Sequence, residues 1–422
     1  LTTFATKRVG EGRVDNVLME IRPKGKSVAA VPLIRIRSCK LYKLAGQLGV
    51  HNPVTTVIGG EDGKPLLYCI PEQEKNEDIL WRLDEGGYLL NLQHCDVTPA
   101  LSGKYFFRLP QQGQQTVDVT VSADTLLNEV RAWWKRWSAF GDEVRWSLPE
   151  KHGEFLIACA RNIQESRAIK DGRTVFQVGP TVYRSMFIVD GNFLLEAGRY
   201  LGYDKEVDQG LMAEWHRQLP SGQVAAAAGT EDWKDTAIAM FTLVRQCELK
   251  QDWSMFRELL PNVRHALDFL IRLRDEARKG SSLNCRYGLL PPGFADGGIG
   301  GLRDEFTNTV WTLAGIRAVV RANETLKLPG LERAPLFYRE LRNSFMVAAK
   351  KEMVRHPDGF EYLPMLLHDD PALKNPDPWM RPRPQTAQWA LSQAIFPGEV
   401  FAKDDPIVRG HIASRYACTQ ED

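Results

Sequence analysis

Two hydrophobic periods divide the chain. Up to about residue 122 apolar residues alternate with polar ones in short runs. Val17–Arg22 and Leu33–Arg37 alternate, Val54–Ile58 is β-branched, and Leu66–Ile70, Tyr88–Leu92, Tyr105–Leu109 and Val117–Val121 follow. Gly, Pro, Asn and Asp punctuate the gaps, as in Asp62-Gly63 and Glu85-Gly86-Gly87. About seven short strands with turn signals between them predict an antiparallel β-sandwich over residues 1–122. The period then lengthens. Ser122-Ala123-Asp124 reads as a helix start, and Leu126, Leu127, Val130, Trp133, Trp134 and Trp137 carry a helical spacing. Residues 123–150 are therefore expected to hold a linker helix.

From about 151 to 422 the pattern predicts helix after helix. Phe155, Cys159 and Ile163 mark one face, and Phe193, Leu194, Ala197 and Leu201 the next. Ala237, Met240, Phe241, Val244 and Cys247 keep the i, i+3, i+4, i+7 spacing, as does Phe256 to Leu270. Val310–Val320 is apolar almost all round, which predicts a deeply buried helix. Further helices are expected near 335–353, 385–395 and 405–416, about nine in all. Some are amphipathic and therefore outer; others are apolar round much of their circumference and therefore inner. A toroid of helical hairpins has those two classes.

Composition narrows the function. In 422 residues, Lys and Arg total 54 and Asp and Glu 53. A formal charge of +1 gives no bulk field for a polyanion, so nucleic acid is not an expected partner. No apolar run approaches the roughly 18 residues of a membrane span, and no membrane partner is expected. No charged and apolar leader is visible from Leu1. The seven cysteines are scattered without a CxxC pair, as expected of reduced structural thiols. The expected location is the cytoplasm, or the periplasm or exterior if a leader was removed. The sequence carries no P-loop, HExxH or GxSxG, and no histidine pair at i, i+4. Gly297-Gly298-Ile299-Gly300-Gly301 does not follow a strand pattern, so no metal or cofactor is expected.

Acids, aromatics, arginines and glycines recur just before the expected inner helices. Tyr183-Arg184 and Val189-Asp190-Gly191 precede the helix at 191–201, and Glu231-Asp232-Trp233-Lys234-Asp235 the helix at 236–248. Phe294-Ala295-Asp296-Gly297-Gly298 and Arg303-Asp304-Glu305 precede the helix at 306–322, and Trp379 to Pro384 the helix at 385–395. In a toroid those ends converge on one funnel. Each acid also has a plain reading: Asp190, Asp235 and Asp304 stand where a helix cap would stand, Asp296 where a loop would turn. Glu231 and Asp232 could be a solvated pair. Most of the eleven tryptophans belong to the core on general grounds. Trp beside carboxylates in a loop is also how a pyranose face is bound. Two carboxylates across a sugar suffice for glycoside hydrolysis, one protonating the leaving oxygen and the other activating water or attacking C1. Asp296 is the candidate general acid: Pro291-Pro292 stiffen its loop, and Gly293, Gly297 and Gly298 admit a ligand. Phe294 could supply the apolar wall that raises a carboxyl pKa, and Asp304 and Glu305 like charge that raises it further.

The segments Asn162–Gln164, Val182–Gly191 and Glu196–Gly202 resemble the first inner hairpin of the six-hairpin glycosidases, the (α/α)6 toroids of the glucoamylase, glucosidase I/trehalase, maltose phosphorylase and rhamnosidase groups. The resemblance implies an N-terminal β-sandwich, a linker helix and an (α/α)6 toroid. The nine helices counted are three short of twelve, so either helices are merged in the count or the toroid is incomplete at the C-terminus. The resemblance also implies an inverting glycoside hydrolase acting on an oligosaccharide or glycoside. Asp190 and Arg184 match its acid- and arginine-bearing sugar-binding segment, with the arginine displaced. Trp233 and Asp235 match a tryptophan-plus-acid loop, and the Asp296 loop matches the one that carries the general acid. Phe294 and Trp379 complete the expected substrate contacts. The general base of the family lies late in the toroid, where Glu421 is the candidate. A glycoside phosphorylase, a toroidal lyase or epimerase using His216, and a carbohydrate-binding protein without catalysis remain alternatives.

Overall fold

The structure is a computed structural model. It describes residues 1–8, 12–21, 28–30, 33–36, 43–48, 55–59, 65–71, 80–84, 87–91, 95–97, 103–110, 117–142, 144–145, 147–170, 172–179, 185–225, 231–295, 301–367 and 389–420. The chain divides into two compact units, Leu1–Ser138 and Ala139–Asp422.

The first unit holds eleven described strands: β1 (Thr2–Arg8), β2 (Gly12–Ile21), β3 (Val28–Ala30), β4 (Leu33–Ile36), β5 (Lys43–Leu48), β6 (Thr55–Gly59), β7 (Pro65–Pro71), β8 (Leu80–Asp84), β9 (Gly87–Asn91), β10 (Cys95–Val97) and β11 (Gly103–Pro110). They form a six-stranded sheet in the order β1-β2-β11-β7-β6-β5, a three-stranded sheet β4-β9-β8 and the pair β10-β3. The described pairings are antiparallel. Leu18, Phe106 and Ile70 stand directly opposite one another across β2, β11 and β7. They share one core with Val117, Val119, Ala123 and Leu126. The cover on that face is therefore helix α1 (Ala123–Arg136) and the segment before it. A second sheet stacked on the first, as the expected sandwich requires, is not part of the described packing. Asn16 and Arg108 are buried but satisfied: Arg108 Nε donates to Asn16 Oδ1 at 3.0 Å, and Asn16 Nδ2 donates to Thr6 Oγ1 at 3.0 Å.

Val117–Val121 is not a strand, although its valines alternate. Asp118 Oδ1 accepts from the Thr120 backbone N–H and hydroxyl, which turns the chain, while Val117 and Val119 still point into the core. Ser122 caps α1 as expected, its hydroxyl accepting from Thr125 N at 3.2 Å.

The second unit is an array of helices: α2 (Glu150–Ser166), α3 (Ile188–Tyr200), α4 (Asp204–Trp215), α5 (Lys234–Lys250), α6 (Ser254–Glu258), α7 (Leu260–Ala277), α8 (Leu283–Arg286), α9 (Phe306–Leu326), α10 (Ala334–Glu352), α11 (Trp389–Ile395) and α12 (Pro406–Gln420). Its described strands are short antiparallel pairs: β12 (Ala168–Lys170) with β13 (Arg173–Val175), β14 (Gly293–Phe294) with β15 (Leu302–Arg303), and β16 (Val354–Arg355) with β17 (Glu361–Tyr362). The apolar run from Phe256 to Leu270, expected as one helix, is broken at Leu259 into α6 and α7.

Helices α3, α5 and α9 run side by side in the same direction. Asn192, Glu196 and Arg199 of α3 meet Thr242, Arg245 and Gln246 of α5 in rising order. Gly315 of α9 lies so close to α5 that a Cβ there would collide with the Ala237 carbonyl oxygen, and farther along Arg321 grips Glu248. One turn before Gly315, Trp311 is fully buried, its ring centroid 6.1 Å from that of Phe241 and 6.4 Å from that of Phe193. Helices α4 and α10 return antiparallel: the end of α4 packs on Gly191 at the start of α3, and Phe345 late in α10 packs on Phe306 at the start of α9. All-round burial of α5 and α9 and one-sided burial of α7 separate an inner from an outer layer, as the apolar patterning predicts. The described helices thus form an α/α array of hairpins, with the N-terminal ends of the inner helices on one side.

Candidate active site

The N-terminal ends of α5 and α9 are tied together by the β14–β15 hairpin. Phe294 N donates to Glu231 O at 3.1 Å, and Lys234 Nζ donates to Phe294 O at 2.7 Å. Lys234 is 2 % exposed, and its ammonium sits 5.4 Å from the centre of the Phe294 ring. Trp233 is also buried. Its Nε1 donates to Pro292 O at 3.4 Å, and it walls off Gly293 together with Asn308. A Cβ on Gly293 would stand 2.6 Å from Asn308 Nδ2 and 2.8 Å from Trp233 Nε1, so only glycine fits there. Ala295 N donates to Gly301 O at 3.0 Å, extending the pairing beyond β14 and β15.

Carboxyl groups gather at this end. Asp235, in the first turn of α5, is 4 % exposed, and Glu305, just before α9, is completely buried. Glu214, at the end of α4, is also completely buried. Its carboxyl is pushed well above the ordinary carboxylate range, first by burial, then by the charge of Asp235, with Arg217 opposing. Asp190 lies in the first turn of α3 and is exposed. The aspartates expected as caps do not cap. The caps of α3, α5 and α9 are Phe187, Trp233 and Glu305, and none makes a side-chain cap bond. Asp304 serves a different element: its Oδ1 accepts from the backbone of Asn284 in α8 at 3.0 Å.

Of the residues named from sequence, Trp233, Asp235 and Phe294 come together at the start of α5, and Asp190 lies at the start of neighbouring α3. Arg184, Asp296, Trp379 and Glu421 lie outside the described residues. His216, the candidate for lyase chemistry, ends α4 as an exposed residue whose Nδ1 lies against Met212 O and Arg173. Sequence reasoning missed Lys234, Asn308 and Glu214. Lys234 stands between Trp233 and Asp235, which were singled out, and Asn308 three residues after Glu305; burial is what distinguishes both. Among the described residues no group of His, Cys, Asp and Glu is placed to hold a metal ion, and no helix is long and apolar enough to cross a membrane.

No family model matches the chain, and no curated protein matches it. Among solved structures, a chain provisionally assigned as a kojibiose phosphorylase from the human microbiome is similar at 7 % identity and TM-score 0.43, over 84 % of this chain and 54 % of that one. A bacterial glucoamylase solved with acarbose is similar at 10 % identity and TM-score 0.47, over 95 % and 65 %. A family 76 glycoside hydrolase from a bovine Bacteroides thetaiotaomicron strain is similar at 11 % identity and TM-score 0.35, over 86 % and 81 %. The chain thus spans less than two thirds of the first two.

Proposed function

We propose that this chain is a glycoside-active enzyme, a hydrolase that inverts configuration, with its substrate at the N-terminal ends of α3, α5 and α9. One observation carries the reading: buried acids and an aromatic-lined hairpin meet at the end where parallel inner helices begin. Those helix ends favour negative charge and so suit ionised carboxylates. In this reading Asp296 protonates the leaving oxygen and a second carboxylate activates water on the opposite face of the sugar. Phe294, 37 % exposed, offers an apolar face, and exposed Asp190 accepts from sugar hydroxyls, while Asp235 is buried in the first turn of α5. Trp233 supports from behind the hairpin, since its indole is buried. The sequence resemblance to the six-hairpin glycosidases favours the same chemistry.

The test is product release from a panel of glycosides, with and without inorganic phosphate, following the anomer formed. Hydrolysis without phosphate and with inverted product supports the reading. Turnover only with phosphate makes the protein a phosphorylase. Binding without turnover makes it a carbohydrate-binding protein.

A further inference from the structure

Glu214 sits on the last turn of α4, and among the described residues neither of its carboxyl oxygens meets a hydrogen-bond partner. Its place is tightly defined. One oxygen lies against Gly191 in the first turn of α3, where even a Cβ would stand 2.6 Å from it. Any side chain at 191 would displace the carboxyl. Among the described residues, the charged groups that act on Glu214 are Asp235 on α5 and Arg217 just past the end of α4. From α3 it faces a glycine, and the neighbouring Asp190 is exposed. Lys234, next to Asp235, gives its ammonium to the Phe294 carbonyl.

A carboxylate removed from water with neither oxygen bonded is a poor way to bury an acid; the neutral carboxylic acid is far better tolerated. Two neighbouring carboxyls in low dielectric hold one proton more readily than none. Asp235 is the member placed in the first turn of a helix, where the dipole favours charge. Glu214 is at the opposite, C-terminal end of its own helix, where the dipole disfavours charge.

We propose that Glu214 is a positioning residue: it remains a neutral carboxylic acid packed against Gly191, and so joins the end of α4 to the start of α3 without adding a second charge to the site that holds Asp235. The effect on activity rests on the substrate-site reading above; the protonation and the packing do not.

The experiment follows the folding constant and glycoside kinetics of the wild type and Glu214→Gln from pH 5 to 9. A group protonated in the folded chain and ionised in the unfolded one loses stability as pH rises from the unfolded value to the folded one. The wild-type folding constant should therefore fall with pH above the ordinary Glu range, by up to about tenfold per pH unit. Glu214→Gln, neutral and of the same shape, should lack that fall and keep activity at high pH, with KM little changed near pH 5. Identical pH profiles of stability would overturn the proposal. A glutamate-selective carboxyl-carbon NMR titration of the wild type needs no variant. One resonance should stay in the protonated position at neutral pH, and ordinary titration of every Glu would also overturn it. If the stability and NMR results hold but no glycoside is turned over, it is the substrate reading that fails.

Discussion

The two ends of the inner helices solve the problem of charge in opposite ways. At their C-terminal ends acids are matched by arginines, of which Arg199 is buried and Arg245 and Arg321 are partly so. Arg321 donates to Glu248 Oε1 through Nε at 3.1 Å and through the second nitrogen at 2.7 Å. Arg245 holds Glu196 at 2.9 Å, and Arg199 holds Asp204 and Asp208, each at 2.7 Å. At their N-terminal ends Glu214, Asp235 and Glu305 are buried within the fold. At the C-terminal ends each of these acids has a hydrogen-bonded arginine, so its charge is answered within the fold. Buried acids at helix starts are costly to assemble and shift one another's protonation, which is how active sites are built. In the proposed function the difference separates a structural end from a chemical one.

The largest effect should come from the chemical end. Asp296→Asn should cut kcat by about 10²–10⁴-fold on ordinary glycosides. The loss should be smaller on glycosides whose leaving group is already acidic, because these need no protonation. Equal losses on both would remove the acid role, and near-normal kinetics on both would move the site elsewhere.

The middle of the same helices should respond in stability alone. Trp311→Ala empties a fully buried position between α3, α5 and α9 and should cost about 3–5 kcal/mol, read as a loss in chemical denaturation. A milder loss would mean that the inner helices repack freely.

What was legible in the sequence follows the same division. The run Val310–Val320 announces a buried helix because every face of α9 is covered. Helix α4 escaped notice because its core contacts are few: Val207, Leu211 and Trp215 recur at i, i+4 and i+8 among polar residues, with Gly210 between them. The alternation at Val117–Val121 misled because two inward valines can be set by an Asp-built turn as well as by a pleat. At the site, the clustering of acids before inner helices was visible in the order of residues. The roles were not: Asp304 serves a neighbouring short helix, and nothing local marks Glu214 as buried, since burial is set by α3 and α5 folding over it.

Acid sensitivity offers a smaller and independent contrast. His411 on α12 is buried, and burial first, then Arg415, lowers its pKa to about 4. The unfolded chain takes up that proton first, so stability present above the ordinary histidine value is lost as pH falls through the window down to about 4, by up to about tenfold per pH unit in the folding constant. His411→Gln should flatten this acid limb and leave the alkaline limb ascribed to Glu214 in place. An unchanged acid limb would show that His411 is charged in the fold.

The smallest effect on turnover is expected at the structural end. Arg321→Ala should leave glycoside turnover unchanged and cost stability only, about 1–3 kcal/mol, because its bonds to Glu248 are partly buried. A large drop in kcat there would erase the distinction between the two ends.

Hydrogen exchange with a cationic iminosugar, which carries the charge that develops at the anomeric centre, tests the central claim most directly. The account predicts slower exchange on binding at 231–235, 293–295 and 303–308, and none at 245–250 or 319–326. Protection confined to the C-terminal ends, or to the first unit, would contradict it.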